Sequence, residues 1–163
     1  MKWHMSYRAD PDVVPLADRH YNRQSIGAPQ FAPPGRVLVL KTPSAFWISS
    51  YPFAEYVKHA WAGAIVCSAF RNEGDVLSSR LIREALAATR WRWPKLPDLG
   101  MVTFVDAAKT KPKPHPGYCF RMAGFEHVGA TKGGLVALQI LPIRFPAAEA
   151  PIGSQGELFA SRG

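Results

Sequence analysis

The feature that most constrains this chain is a nearly continuous apolar run, Gly63-Ala64-Ile65-Val66-Cys67-Ser68-Ala69-Phe70, joined by a short polar loop to an amphipathic stretch. A run with no polar face has the pattern of a central strand covered on both sides. After Arg71-Asn72-Glu73-Gly74-Asp75, Leu77, Leu81, Ala85 and Ala88 recur at three- and four-residue spacing. Ile82 and Leu86 widen this stripe, and Arg80, Arg83, Glu84 and Arg90 take the other faces. The periodicity predicts a helix from Val76, capped by the Asp75 carboxylate and stopped before Pro94 and Pro97. A buried strand feeding such a helix is an α/β building block.

The flanking segments extend that block. Arg36 to Lys41 and Ala45 to Ser49 read as a hairpin around Thr42-Pro43-Ser44, and Met101 to Asp106 as a further strand. Tyr118 to Ala123 reads as a short helix closed by Gly124. Phe125 to Thr131 and Leu135 to Leu141 read as two strands about Lys132-Gly133-Gly134. Upstream, a short helix over Leu16 to Tyr21 runs into a loop from Asn22 to Gly35, punctuated by Gly27, Pro29, Pro33 and Pro34. Loops of that length in small domains are commonly functional. Residues 1–15 read as an irregular lead-in and the stretch after Pro146 as a loose tail, within a single domain of 163 residues.

Apolar residues make up 47% of the chain, which argues against wholesale disorder. No apolar run is long enough to cross a bilayer, and the start of the sequence lacks the apolar core of a secretory signal. Cys67 and Cys119 are the only cysteines, which fits a reducing cytoplasm better than a disulfide scaffold. The formal net charge of +8 attracts polyanions, so nucleic acid is the obvious partner; an amphipathic anchor helix for an anionic membrane is lacking. Walker loops, zinc-ligand spacings and HExxH helices are absent, and no His/Asn pattern supports Cys119 as a nucleophile.

The order of strand, glycine-containing loop, long helix, strand, short helix and two hairpin strands resembles the second half of the GNAT acyltransferase fold. That resemblance implies an α/β (α+β) domain with a mixed central β-sheet flanked by helices. It also implies an acyl-CoA-type donor, such as acetyl-CoA, at the N-terminus of the long helix, where unpaired N–H groups hold pyrophosphate. The loop departs from the usual Gln/Arg-x-x-Gly-x-Gly/Ala pattern, with one glycine and the acids Glu73 and Asp75, which argues against ordinary CoA binding.

Val102-Thr103-Phe104-Val105-Asp106, the basic loop after it, and Gly117-Tyr118 through Gly129-Ala130-Thr131 sharpen the resemblance. Together with His20-Tyr21 and Phe70-Arg71, they are similar to the Mom-type phage DNA modification proteins, over roughly residues 16–141. The resemblance implies a phage- or prophage-type enzyme in the host cytoplasm. Such an enzyme builds a carbamoylmethyl group on the adenine N6 amine of double-stranded DNA and so protects it from restriction. It brings iron in as a further cofactor, and a homodimer is compatible with it.

Candidate residues follow from chemistry and resemblance together. Asp106 ends a central strand and can accept a proton from an exocyclic amine; otherwise it is a solvated strand-end cap. Tyr118 can donate a proton to a leaving group or stack on a flipped base, or simply pack. His20 suits acid/base work or metal ligation, with Tyr21 beside it. Arg71 can clamp a donor's anionic part, helped by Gly74, Ser78 and Ser79 in the same loop and helix start. Lys109, Lys111 and Lys113 alternate with Thr110, Pro112 and Pro114, a stiff display of positive charge for DNA phosphates. Two other readings compete: an acetyl-CoA-dependent N-acetyltransferase for a small amine or protein, and a non-catalytic DNA-binding module. The leading one requires His20, Arg71, Asp106 and Tyr118 to meet in one cleft.

Overall fold

The computed structural model describes residues 1–20, 22–23, 25–52, 60–109 and 117–154. Its strands are β1 (His4–Met5), β2 (Arg36–Thr42), β3 (Ala45–Tyr51), β4 (Ile65–Asn72), β5 (Met101–Val105), β6 (Glu126–Ala130) and β7 (Val136–Ile140). Its helices are α1 (Val14–Asp18), α2 (Ser78–Arg92) and α3 (Tyr118–Met122). The strands form one seven-stranded mixed sheet in the order β1-β2-β3-β4-β5-β7-β6. Every neighbouring pair is antiparallel except β4 and β5, which run parallel and are joined by the α2 crossover.

Strand alternation sorts the core into two layers. Leu38, Leu40, Ala45 and Trp47 face α2, whose Leu81, Ile82, Ala85, Leu86 and Ala88 are all buried against them. Val39, Phe46 and Ile48 point the other way, under Val13, Leu16 and Ala17 at α1. A buried hydroxyl chain ties the first layer: Trp47 Nε1 donates to Ser49 Oγ at 2.7 Å, Ser49 meets Thr89 Oγ1 at 2.8 Å, and Thr89 donates to the Ala85 carbonyl at 2.7 Å.

Several local expectations are revised. Helix α2 starts at Ser78 with Leu77 at the N-cap, and no side chain caps it, so Asp75 does not. Asn72 instead orders the entry: its Oδ1 accepts from Gly74 N, while its Nδ2 donates to the Val76 carbonyl and Ser78 Oγ. The lead-in is not irregular throughout, because Trp3 is fully buried and its indole donates to the Leu81 carbonyl at 2.8 Å. The segment after Pro146 is held as far as Ser154: Glu149 N reaches the Ala87 carbonyl, and Ile152 bonds both Trp3 and Met5. No helix among the described residues is long and apolar enough to cross a membrane.

The decisive departure is in β4, expected to be buried on both faces. Beyond Cys67 all its residues are only half-buried. The register explains this. Ile48 pairs with Ala69 and Ser49 with Cys67, so Ser68 is an extra residue, a β-bulge. Bulges bend a strand and increase its twist. Strand β4 pairs with β5 only at Ile65–Met101, Val66–Val102 and Cys67–Thr103. From Ser68 onward the two parallel strands part.

Candidate functional site

The gap between the diverging ends of β4 and β5 is a cavity of about 420 Å³. His20, Arg71 and Tyr118 all line it, with Cys67, Phe104 and Phe120 among its other walls. Asp106 lines an adjoining cavity of about 420 Å³, together with Lys109 and Leu135. The two cavities share Asn22, Cys67, Ser68 and Phe104. Three of the four residues thus line one gap, and Asp106 lines the cavity beside it.

His20 is half-buried beyond the end of α1, with its ring edge-on to Phe46 at 6.1 Å. Its Nδ1 lies 2.5 Å from Asn22 Oδ1, and Asn22 Nδ2 donates to the Ser68 carbonyl at 2.9 Å. Burial pushes the His20 pKa below the ordinary histidine value, against the opposing pull of hydrogen bonds with Asn22 and the Phe70 backbone. The neutral imidazole therefore fastens the Asn22 segment to the bulged part of β4.

Arg71 leaves β4 at the mouth of the first cavity. Its Nε meets Glu73 Oε2 at 2.5 Å, and its Nη1 donates to the Arg19 carbonyl at 2.8 Å. Arg19 grips the same carboxylate through both oxygens, at 2.7 and 2.8 Å. Hydrogen bonds from Arg19, then Arg71, hold the Glu73 pKa down to about 2. Glu73 was expected to repel a bound anion. Two guanidinium groups offset the Glu73 charge, Asp75 stays exposed in the same loop, and the first turn of α2 carries no side-chain cap. Gly74 and Ser78 have local work of their own. A Cβ at Gly74 would lie 2.1 Å from Ser44 Oγ, and Ser78 Oγ accepts from Asn72. Ser79 is half-buried in the first turn.

Asp106 sits one residue past β5, where its Oδ1 accepts from Ala108 N at 3.0 Å. Its Oδ2 carries no hydrogen bond among the described residues. Tyr118 opens α3, half-exposed, behind Gly117, whose positive φ makes the turn. A Cβ on Gly117 would also meet Leu138 at 2.3 Å. Lys109 is exposed at the second cavity. Cys67 is buried, and burial holds its thiol far above the ordinary range, so it is an inert wall. Tyr21, Lys111, Lys113 and His115 lie outside the described residues.

Among the described residues no three His, Cys, Asp or Glu side chains gather to hold a metal. Sequence reasoning missed Arg19, Asn22, Ser68 and Phe104. Phe104 stacks at a tilt on Trp61 at 5.8 Å and forms a wall of both cavities. No family model, curated protein or solved structure matches this chain.

Proposed function

We propose that the chain is a GNAT-like transferase that modifies the N6 amine of adenine in DNA, in the manner of the Mom-type proteins. The observation that carries this reading is the parting of β4 and β5 after three paired residues, with the bulge at Ser68 at the fork. A parallel pair that splays at its centre, inside a sheet ordered β1-β2-β3-β4-β5-β7-β6, supports the GNAT-like assignment. The net charge of +8 and the position of Lys109 at the cavity rim support a polyanionic substrate.

The chemistry divides across the gap. An acyl-CoA-type or related donor, when bound, supplies an activated carbon; Arg71 and the first-turn amides of α2 hold its anionic part. The adenine amine forms the new N–C bond as the bond from that carbon to its leaving group breaks. Asp106 Oδ2 takes the amine proton, and the Tyr118 hydroxyl gives its proton to the leaving group. His20 positions Asn22 and Ser68, and Lys109 meets the phosphates.

The test is mass analysis of nucleosides in DNA from cells expressing the wild-type chain beside Asp106→Ala. A mass-shifted deoxyadenosine in the wild type, lost in the variant, is expected. Unshifted deoxyadenosine with verified folded protein sinks the reading. Thermal stabilisation by acetyl-CoA without any shifted nucleoside would favour an acetyltransferase of small amines or proteins instead.

A further inference from the structure

Strand β1 pairs with β2 only through His4–Lys41 and Met5–Leu40. One further bond runs from Ser6 N to the Val39 carbonyl at 2.9 Å, and the chain then turns away, with Asp10 N bonded back to the Tyr7 carbonyl. The first half of β2 is therefore an open sheet edge. Main-chain groups of an antiparallel strand point to alternate sides. Val39 faces outward to Ser6, so Val37 faces outward too, and its N–H and carbonyl have no partner among the described residues. A groove of about 340 Å³ occupies the space that β1 leaves, between Ser6 to Arg8 on one side and Arg36 to Val39 on the other. It lies at the end of the sheet away from the β4–β5 fork. Arg36 sits opposite Tyr51 at the end of β3, whereas Asn72 at the end of β4 sits opposite Ala45 at the start of β3.

Three arginines line this groove: Arg8, Arg36 and Arg92. Arg8 Nη2 donates to the Gly35 carbonyl, which holds its guanidinium across the mouth. Arg36 lies over the Tyr51 ring at 4.4 Å and Arg92 over the Trp93 ring at 5.1 Å, and the two rings meet edge-on at 5.6 Å. Stacking orients a guanidinium plane without consuming its N–H groups. Arg36 shares the α2 face of β2 with Leu38 and Leu40, and Arg92 comes from α2 itself. Among the described residues no carboxylate lines the groove. Asp10, which Ser6 Oγ reaches at 2.7 Å, is buried and paired with Lys41 at 2.7 Å.

The charge decides the occupant. Charged side chains on an open edge guard it against pairing with its own kind, and a second copy would bring the same arginines against these. The same charges attract a strand that carries carboxylates. An extended peptide meets both features of the groove at once. Its main chain bonds Val37, and its alternate side chains, which share one face, turn carboxylates toward the arginines. A nucleic-acid backbone would satisfy the charges but has no row of N–H and C=O groups to offer the edge.

We infer that the open edge of β2 is a docking strip for an extended acidic segment of a partner protein, which adds a strand beside Arg36 to Val39 and places its carboxylates on Arg8 and Arg92. This surface is separate from the β4–β5 fork and does not depend on the transferase reading.

The experiment titrates the full chain into a blocked, fluorescein-labelled peptide of alternating valine and glutamate, followed by anisotropy. Wild type should bind it, and should bind the same peptide with lysine in place of glutamate far more weakly. Arg8→Glu and Arg92→Glu should each weaken the acidic peptide by about fivefold at low salt, the upper range for one exposed ion pair, with far-UV circular dichroism unchanged. Methylating alternate peptide amides removes main-chain donors and keeps the charge; that form should bind about tenfold more weakly. The Val37 amide should exchange more slowly when the unmethylated peptide is bound. Equal affinity of the methylated and unmethylated peptides would reduce the strip to a patch of charge and overturn strand addition. Affinity untouched by both arginine reversals would overturn the location. A wild type that ignores the peptide overturns the proposal, and slowed Val37 exchange with a DNA duplex instead would assign the edge to nucleic acid.

Discussion

The two faces of the sheet are built from the same strands by different means. On one face a fifteen-residue helix lays a continuous apolar stripe against Leu38, Leu40 and Trp47. On the other a five-residue helix covers Val39, Phe46 and Ile48 only in part, and a loop braced by Arg23 and Asp18 does the rest. Packing closes the first face, because interdigitating side chains fill it. The second is sealed as well, with Val39, Phe46 and Ile48 at most 2% exposed, but the loop that completes it is fixed by hydrogen bonds and an ion pair of Arg23 and Asp18. The contrast separates a face closed by one long helix from a face closed by a short helix and a pinned loop.

The largest effect belongs to the packed face. Leu86→Ala removes a fully buried side chain from the α2 layer and should lower unfolding free energy by about 2–5 kcal/mol in urea denaturation. Next comes the pin. Arg23→Met should loosen the loop over Phe46 and Ile48, seen as faster amide exchange in the 25–33 stretch, because the Gln30 and Ala28 carbonyls and Asp18 lose their common partner. It should leave the urea transition much closer to wild type than Leu86→Ala does. A loss of stability from Arg23→Met as large as that from Leu86→Ala would erase the distinction between the faces.

What the sequence disclosed follows the same division. The α2 stripe, the β2–β3 hairpin and the glycine turn between β6 and β7 are local patterns, and each is read from neighbours a few residues apart. The bulge at Ser68 is not, since one extra residue leaves the apolar run around it unchanged. The partnership of Arg19 with Glu73 spans 54 positions, and that of Trp3 with Leu81 spans 78, so neither has a periodic signature. The loop alone shows Glu73 as an acid without a partner, and its pairing with Arg19 comes from a distant element. Proposing that His20, Arg71, Asp106 and Tyr118 meet drew on resemblance more than on pattern. Asn22 and Ser68, which join the cavities, had no chemistry conspicuous enough to single them out.

A smaller effect tests the seam between the faces. The folded His20 pKa lies below the ordinary histidine value of 6.5, so between the two values the unfolded chain binds more protons than the folded one. Stability therefore rises with pH through this window and is lost as pH falls below about 6.5. His20→Gln should flatten that slope in urea midpoints measured across the pH series. An unchanged slope would remove His20 from the account of the seam.

The smallest effect comes from Glu73, a carboxylate partly open to solvent, where screening limits what an ion pair contributes. Its folded pKa of about 2 lies below the ordinary glutamate value of 4.5. Its contribution is thus complete above about 4.5 and disappears as pH falls toward about 2. Protonation frees Arg19 and Arg71 from their shared carboxylate and loosens the junction of α1 with β4. Across the α2 layer Glu84 likewise faces the N-terminal ammonium at 3.7 Å, so acid weakens both faces. Glu73→Gln should therefore lower the urea midpoint at neutral pH only slightly, far less than Leu86→Ala, and should flatten its fall between about 4.5 and about 2. A pH dependence identical in Glu73→Gln and wild type would remove the Arg19–Glu73–Arg71 bridge from the account of the α1–β4 junction.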